Sequence, residues 1–456
     1  MTSCRLKFAR SDYEHLMGHL FPGDNDEHGA VLLAGMSLRA GKMTLFVREV
    51  HFAIEGTDYV EGKIGYRALT ATFIHRMITR ARDKRLVYLA VHNHGSDLEV
   101  GFSGTDLESH CRGYPALLQI ARGMPVGALV FGHRSIQADV WMADGSRLDL
   151  EYAEVIGTSI LRRTPARKNS QSDPAETFDR QVRMFGTSGQ AILSRTHVGI
   201  IGLGGVGSLL AEYLAKLGIG QFTLVDDDRI EESNRSRVVG ARKSDVKRKL
   251  RKTEIAKRLI LQANENAKVR PLAADVVKES VARSLTTCDY LFLAADSMRA
   301  RLVFNSLVHQ YFIPGVQLGT KIACDPNGSI TDIMSANRPV RPGLGCLWCN
   351  QLIDATQLAQ EAKTDRERID QAYGTKQTNP SVITLNAVAA AHAVNNFLLD
   401  YLCLRPEGKL YFEHFHFLNS KRMLVEPRKS PDCPECSVNE GRFGWGDGVS
   451  LPCAEG

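Results

Sequence analysis

The sequence predicts two units, an α+β unit with a mixed sheet followed by an α/β unit built on a parallel sheet. Three observations predict this. At 456 residues the chain has room for about three domain-sized units at roughly 150 residues each, with cores that need no staples. Residues 161–176 (LRRTPARKNSQSDPAE) combine Pro, Ser and mixed charge without apolar periodicity, which marks a linker. Residues 197–229 read strand, Gly-rich turn, helix, strand; that is one βαβ unit and implies parallel strands. The expected boundaries are a first domain over 1–160, a linker over 161–176, a second domain over 177–437 and a tail over 438–456. The tail is rich in Gly, poor in pattern and expected to fray.

Element by element, residues 30–38 (AVLLAGMSL) and 42–52 (KMTLFVREVHF) read as neighbouring strands. Residues 66–85 carry an amphipathic helix pattern, and 85–94 (RLVYLAVHNH) form a strand that ends in polar side chains. Residues 127–132 and 135–143 close the first unit as strands. In the second unit, 269–275 and 288–296 are strand-like, and 381–402 reads as a buried helix.

Composition narrows the class. Hydrophobic residues are 43 %, charged residues 24 % and the net charge +6, which excludes disorder throughout. No apolar run reaches the roughly 18 residues of a membrane span, and the first residues lack the apolar stretch of a secretory signal. The expectation is a cytoplasmic protein without membrane association. The mild basicity demands no nucleic acid. It is concentrated in residues 242–258, where nine Lys/Arg stand against two acids. Ten cysteines in this length are too few for a disulfide scaffold. Four of them, Cys346-x-x-Cys349 and Cys433-x-x-Cys436, are two half-sites 84 positions apart, expected to close one structural zinc site. A redox CxxC would come with a thioredoxin-like pattern, which is missing.

Two further constellations carry chemistry. His92 and His94 stand two apart on a strand, so both rings lie on one face; after eight intervening residues comes Ser103-Gly-Thr-Asp106. Ser followed three residues on by an acid is also a helix-start signal, which leaves Asp106 an ordinary first-turn acid on that reading. The order His-x-His-x8-Ser-x-x-Asp, with Glu27-His-Gly-Ala-Val-Leu-Leu-Ala34 upstream, resembles the JAMM (MPN+) metalloproteases, which remove or trim ubiquitin and its relatives. The resemblance implies a catalytic zinc on His92, His94 and Asp106, Glu27 as general base, and Ser103 as oxyanion stabiliser. Asp24, Asp26 and Glu49 are rivals to Glu27. Asn93, Gly95 and Ala34 depart from the family's usual residues without removing a ligand.

The second is Gly202-Leu-Gly204-Gly205-Val-Gly207 between strand and helix, with Asp226 about 20 residues on, at the end of the next strand. This alone fits NAD or ATP. Asp226-Asp-Asp228-Arg-Ile-Glu-Glu-Ser-Asn234-Arg-Ser-Arg237 resembles the corresponding segment of the ThiF-like, ubiquitin-activating-type adenylyltransferases. Phe178-Asp-Arg180-Gln-Val, Lys252-Thr-Glu and Asp296-Ser-Met-Arg-Ala-Arg301 resemble further motifs of that family in order, over roughly residues 176–436. The resemblance implies ATP and magnesium: Asp226 on the ribose, Asn234, Arg237 and Lys252 on the triphosphate, Asp296 positioning magnesium. Arg180 would reach the γ-phosphate from the other subunit of a homodimer.

Together the resemblances imply a bacterial-type enzyme for a ubiquitin-like modifier, with a conjugating enzyme as a further partner and antiviral defence as a setting. The alternative is activation of a sulfur-carrier protein. The loop where many members carry a thioester cysteine, residues 372–382, has none; Thr375, Thr378 and Ser381 are its candidates for an oxyester instead.

Overall fold

The computed structural model describes residues 3–39, 41–60, 68–166, 176–361 and 380–454. The chain divides into two compact units. One comprises Met1–Asn169, Gln310–Phe312 and Ser437–Ser450; the other comprises Ser170–His309, Ile313–Cys436 and Leu451–Gly456. Among the described residues no helix is long and apolar enough to cross a membrane.

The first unit runs β1 (Ser3–Ala9), α1 (Arg10–Leu20), β2 (Gly29–Arg39), β3 (Lys42–Phe52), α2 (Ala71–Lys84), β4 (Val87–Asn93), α3 (Gly104–Ile120), β5 (Val126–Phe131), β6 (Ile136–Trp141), β7 (Arg147–Ile156) and β8 (Ile160–Arg163). Its mixed sheet has the order β1-β3-β2-β4-β5-β6-β7-β8, and a parallel pairing of β1 with β7 closes it on itself. β2 lies antiparallel to both β3 and β4. Its near-continuous apolar run follows from burial on two faces. Leu32 packs with Leu89 and Val91 in one core. Val31 and Leu33 pack with Tyr88 and with Phe73, Met77 and Ile78 of α2 in the other. α2 begins where Thr70 Oγ1 accepts the Phe73 amide at 3.3 Å and stops at Arg85, whose φ of 54° is left-handed.

Two boundary expectations need correction. The segment read as linker from 161 begins inside β8. Arg162, which looks like linker charge in the sequence, pairs at 3.1 Å with buried Glu154 of β7, and Lys7 of β1 approaches the same carboxylate at 3.5 Å. Residues 167–175 of that linker lie outside the described residues. The tail expected to fray is instead largely built into the first unit, from Ser437 to Ser450. Gly446 bridges to Met36 of β2, the Asp447 amide donates to the Met36 carbonyl at 2.8 Å, and Arg48 lies 4.1 Å over the Trp445 ring while donating to the carbonyls of Phe443 and Val438.

Glycine is required on both sides of this close approach: a Cβ at Gly35 of the strand would stand 2.1 Å from the Gly444 carbonyl oxygen, and one at Gly446 of the tail 2.3 Å from the Met36 carbonyl oxygen. Gly35→Ala is therefore expected to destabilise the first unit by about 1–3 kcal/mol through overpacking. Denaturant unfolding followed by tryptophan fluorescence measures this; an unchanged midpoint overturns the assignment of the strap.

The second unit contains α4 (Asp179–Arg195), β9 (His197–Ile201), α5 (Gly205–Lys216), β10 (Gln221–Val225), α6 (Lys243–Lys247), α7 (Lys252–Ala263), β11 (Lys268–Leu272), α8 (Glu279–Leu285), β12 (Tyr290–Leu293), α9 (Met298–Gln310), β13 (Gly315–Cys324), β14 (Ile330–Val340), α10 (Ala355–Glu361), α11 (Ile383–Tyr401), β15 (Phe412–His416) and β16 (Lys421–Val425). The sheet order is β11-β10-β9-β12-β13-β14-β15-β16. β11, β10, β9, β12 and β13 pair in parallel, as expected. β14, β15 and β16 continue the sheet antiparallel, which the expectation of a parallel sheet missed. β13 and β14 are joined through a turn in which Asp325 Oδ1 accepts the amides of Asn327 and Ser329 at 2.9 and 2.8 Å. In an open α/β sheet the ligand crevice lies beyond the carboxyl ends of the parallel strands, and the glycine turn, Asp226 and Asp296 all follow such ends.

Candidate functional site

A cavity of about 720 Å³ opens there, within the second unit. The glycine turn forms one wall. Gly202 has φ +89°, and a Cβ on it would stand 2.8 Å from the Ala295 amide nitrogen; a Cβ on Gly207 would stand 1.9 Å from the Gly202 carbonyl oxygen. The first residue thus needs backbone freedom, and the second lets α5 start directly against the strand. The open amides of the α5 N-terminus are where an anion is favoured. Asp226 braces the turn: Oδ2 accepts the Leu203 amide at 2.7 Å and Oδ1 the Asp228 amide at 2.9 Å. Burial pushes its carboxyl up, opposed by Lys252. Lys252 is itself buried, with Nζ 2.6 Å from Asp228 Oδ2 and 4.0 Å from Asp226 Oδ1.

Of the residues expected at a nucleotide site, Gly202, Gly204, Gly205, Asp226, Lys252 and Asp296 line this cavity. Gly207 lies behind the lining as a packing residue. Asn234 and Arg237 are not in the lining. Asn234 Oδ1 accepts the Glu231 amide at 2.9 Å, closing a short turn. Arg237 donates to the Ser233 carbonyl at 2.9 Å, though its Cδ would meet a Cβ on Gly205 at 3.5 Å. Arg180 is exposed on α4 and is also outside the lining. Sequence reasoning missed the roles of Lys321, Arg338 and Asn386, which line the cavity with Ser381. Asn386 is buried, accepts from Thr320 Oγ1 at 2.8 Å and donates to Ser381 Oγ at 3.1 Å. An Asn in the mostly apolar first turns of this helix was its only signal. Thr375 and Thr378 lie outside the described residues.

The four cysteines of the two CxxC pairs meet, again within the second unit. Their sulfurs all lie within 4.8 Å of one another; Cys346–Cys433 and Cys349–Cys436 are each 3.7 Å apart. A tetrahedral zinc with Zn–S bonds of about 2.3 Å has sulfur–sulfur edges of about 3.8 Å, so the donors fit. The amides of Cys349, Glu435 and Ser430 point to sulfurs at 3.3, 3.4 and 3.5 Å. α9 holds both half-sites: Asn305 Oδ1 accepts the Leu347 amide at 2.9 Å and Nδ2 donates to Glu435 Oε2 at 3.2 Å, with Ser306 Oγ on the same oxygen at 2.7 Å.

In the first unit, the end of β4 brings His92 and His94 to Asp106 at the start of α3. His92 Nε2 and His94 Nε2 are 3.2 Å apart, and each is 3.6 Å from Asp106 Oδ2. Tetrahedral zinc with bonds of about 2.0–2.1 Å needs donor edges of about 3.3–3.4 Å, so this triangle fits too. Ser103 caps α3: its Oγ accepts the Asp106 amide at 3.2 Å, while its own amide and hydroxyl each donate to Asp106 Oδ2 at 2.7 Å. Capping explains Ser-x-x-Asp; it does not explain two imidazoles converging on the capping carboxylate. Burial opposes ionisation of Asp106, but hydrogen bonds from His92 and Ser103 outweigh it and hold the carboxyl well below the usual range. Burial, then His92, lowers the His94 pKa, which favours the neutral, ligating imidazole.

Glu27 Oε1 lies 3.7 Å from His94 Nε2, because Gly29 pairs directly with His92 across β2 and β4. Two of the rivals are engaged elsewhere. Asp24 pairs with His28 at 2.8 Å and also accepts the Asp26 amide at 3.2 Å; Glu49 pairs with His51, Arg80 and Lys84 at 3.0, 2.7 and 2.6 Å.

A five-strand parallel core, a glycine turn at its carboxyl edge and a four-cysteine cluster define the class of the second unit, a Rossmann-like α/β fold. Residues 178–437 match the model of the ThiF family, and the chain belongs to that family. It is similar to the tRNA threonylcarbamoyladenosine dehydratase of Escherichia coli, 26 % identical over 49 % of this chain and 94 % of that protein. It is 28 % identical to the SAMP-activating enzyme E1 of Haloferax volcanii over 57 % of this chain and 88 % of that one. The sulfur carrier protein ThiS adenylyltransferase of Bacillus subtilis is 32 % identical over 28 % of this chain, a match spanning 39 % of that relative. Among solved structures, E. coli MccB in complex with MccA-N7isoASN aligns at 20 % identity and a TM-score of 0.48 over 58 % of this chain and 76 % of that chain.

Proposed function

We propose that the second unit uses ATP to adenylate the C-terminal glycine of a ubiquitin-like protein, and that the first unit is a zinc peptidase of the JAMM type that trims or removes the same modifier. The observation that carries the reading is the cavity in which Gly202, Gly204, Asp226, Lys252 and Asp296 converge. Relatives named for activating SAMP and adenylylating ThiS support the substrate class. In this reading the α5 N-terminus and Lys252 hold phosphate, Asp226 takes the ribose and Asp296 orients magnesium. Arg237 and Asn234 sit outside the lining and would need to turn inward. Arg180, exposed on α4, would serve a neighbouring copy in a homodimer. The modifier's carboxylate attacks the α-phosphate, its oxygen forms the acyl–phosphate bond, and pyrophosphate leaves. The chain's part is to place charge on the phosphates.

No cysteine stands in residues 372–382, so the acyl-adenylate passes directly to another nucleophile. A conjugating enzyme is the first candidate. A sulfur donor is the second reading, favoured by the ThiS relative.

For the first unit, a zinc ion on His92, His94 and Asp106 supplies Lewis acidity. Glu27, 3.7 Å from His94, would accept a proton from the attacking water, and the Ser103 hydroxyl would help to stabilise the oxyanion. The reading places both activities in the cytoplasm.

ATP–pyrophosphate exchange tests the adenylation half, using small ubiquitin-like proteins that end in glycine as substrates. Exchange should require a free C-terminal glycine, and Lys252→Ala should lower it on the order of 10²–10³-fold. Exchange that survives Lys252→Ala, or none with any such protein while ATP binding is also absent, overturns it.

A further inference from the structure

The acids lining the cavity of the second unit gather at one end of the sheet, where Lys252 pairs with Asp228 at 2.6 Å, while the other lining cations stand at the opposite end. Asp275 follows β11, Asp226 and Asp228 follow β10, and Asp296 follows β12; on the far side stand Arg301 of α9, Lys321 of β13 and Arg338 of β14. β10 and β14 are four strand spacings apart, about 19 Å at roughly 4.8 Å each. A group held at Asp226 and a group held at Arg338 are therefore different parts of a ligand set.

Among the described residues the cationic end holds no ion pair, and Asp296 and Glu361 act on Arg301 only through the field. Arg338 Nη1 donates to Gln317 Oε1 at 2.7 Å and Nε to His414 Nε2 at 3.1 Å. Both partners are neutral: burial, then the adjacent guanidinium, pulls the His414 ring down to about 4. Burial, then Arg301, lowers Arg338 itself to about 10. Arg301 donates to the Leu352 carbonyl at 2.7 Å, and its Nε has no hydrogen-bond partner. Glu361, the nearest acid along with Asp296, is already used, accepting the amides of Met298 and Arg299 at 2.9 Å each. Among the described residues no carboxylate forms an ion pair with either guanidinium. Two like charges side by side in a cavity, fixed by neutral hydrogen-bond partners, are arranged for an incoming anion.

We propose that Arg338, with Arg301 beside it, forms an oxyanion subsite at the β13–β14 end of this cavity, which binds a carboxylate or a phosphate group of the substrates. Gln317 and His414 hold the guanidinium plane and leave its remaining N–H groups for the ligand, a fork that suits either oxyanion. The choice of ligand rests on the adenylation reading, in which the two sources are the C-terminal carboxylate of the polypeptide and the terminal phosphates of ATP. The charge segregation holds without that reading.

The test titrates the full chain and its Arg338→Ala and Arg338→Lys variants with adenosine, ATP, inorganic pyrophosphate, glycylglycine and glycylglycine amide. Adenosine binding is expected to stay unchanged, which reports an intact cavity. At least one anion should weaken roughly ten- to a hundredfold in Arg338→Ala, and Arg338→Lys should recover only part. Weakening of ATP and pyrophosphate assigns the subsite to phosphate. Weakening confined to glycylglycine, with the amide unaffected, assigns it to carboxylate. If the wild type binds none of the anions, or Arg338→Ala binds them all equally well, the subsite does not exist. If the wild type binds neither adenosine nor ATP while pyrophosphate binding still depends on Arg338, the subsite stands and the adenylation reading falls.

Discussion

Cys346→Ser should yield a chain that holds one zinc fewer and has lost the native packing of the C-terminal half of the second unit. The sulfur is fully buried and stands 3.7 Å from that of Cys433. The four cysteine sulfurs contact one another and a few hydrophobic neighbours rather than a large core: the cluster counts Cys346, Cys433 and Cys436, with Trp348 and Cys349 packed against it. So little apolar surface holds two chain segments 84 positions apart weakly; on the zinc reading the metal adds the main link to the hydrogen bonds from α9. Structural zinc contributes about 10–16 kcal/mol of apparent binding free energy in small zinc domains. Removing one of four thiolates should forfeit a large share of it.

The measurements are zinc stoichiometry after exhaustive dialysis and the thermal midpoint, with Cys288→Ser as the control for losing a buried thiol outside the cluster. Chelation of the wild type should lower the midpoint in the same way. A Cys346→Ser chain with undiminished zinc and midpoint would leave the two CxxC pairs without a structural role. Asn305, which bonds both half-sites, should give a milder version of the same loss.

How much of this was legible in the sequence follows from the range of the interactions. The βαβ unit was readable because its chemistry is local: Gly202 and Gly207 are close in sequence and meet each other in space. The four-cysteine cluster was readable because zinc restricts the donor type and its spacing. The antiparallel continuation of the sheet was not. The pairing of β14 with β15 brings Ala336 opposite His414, a distance along the chain over which no periodicity carries information.

Arg338 falls in the same category, since its neighbours Gln317 and His414 come from two other strands. The strap from Ser437 to Ser450 was misread for the opposite reason. Its glycines look patternless in the sequence, yet Gly444 and Gly446, at φ +67° and +57°, are the positions that let the chain lie flat on β2. The sequence left four acids as candidates for a general base; the strand register that sets Gly29 opposite His92 goes with a Glu27 carboxylate 3.7 Å from His94, a proximity that sequence spacing does not show.

The second large effect concerns Glu27, and its value is that it separates a catalytic carboxylate from a structural one. Glu27→Gln is expected to keep both zinc ions, one per candidate cluster, while lowering cleavage of a modifier fusion about 10²–10⁴-fold, the range for a positioned general base. The argument is positional. Glu27 Oε1 is 3.7 Å from one donor of the His92–His94–Asp106 triangle; this is within reach of a water in the open position, yet the three other donors already account for the metal. His94→Ala should behave differently, losing the zinc of the first unit together with the cleavage.

Ser103→Ala adds the capping control. If Ser103 only starts α3, the variant loses about 1 kcal/mol of stability and keeps its zinc and its rate. If Ser103 also stabilises the reacting carbonyl, the rate falls by more than the stability loss explains. In all three variants ATP–pyrophosphate exchange with a modifier that already ends in glycine should continue, because none of these side chains lines the cavity of the second unit. Glu27→Gln that cleaves at the parental rate would return His92, His94 and Asp106 to the bland reading, a capped helix beside two polar strand residues. Glu27→Gln that loses zinc would make Glu27 a ligand and leave the reaction without its base.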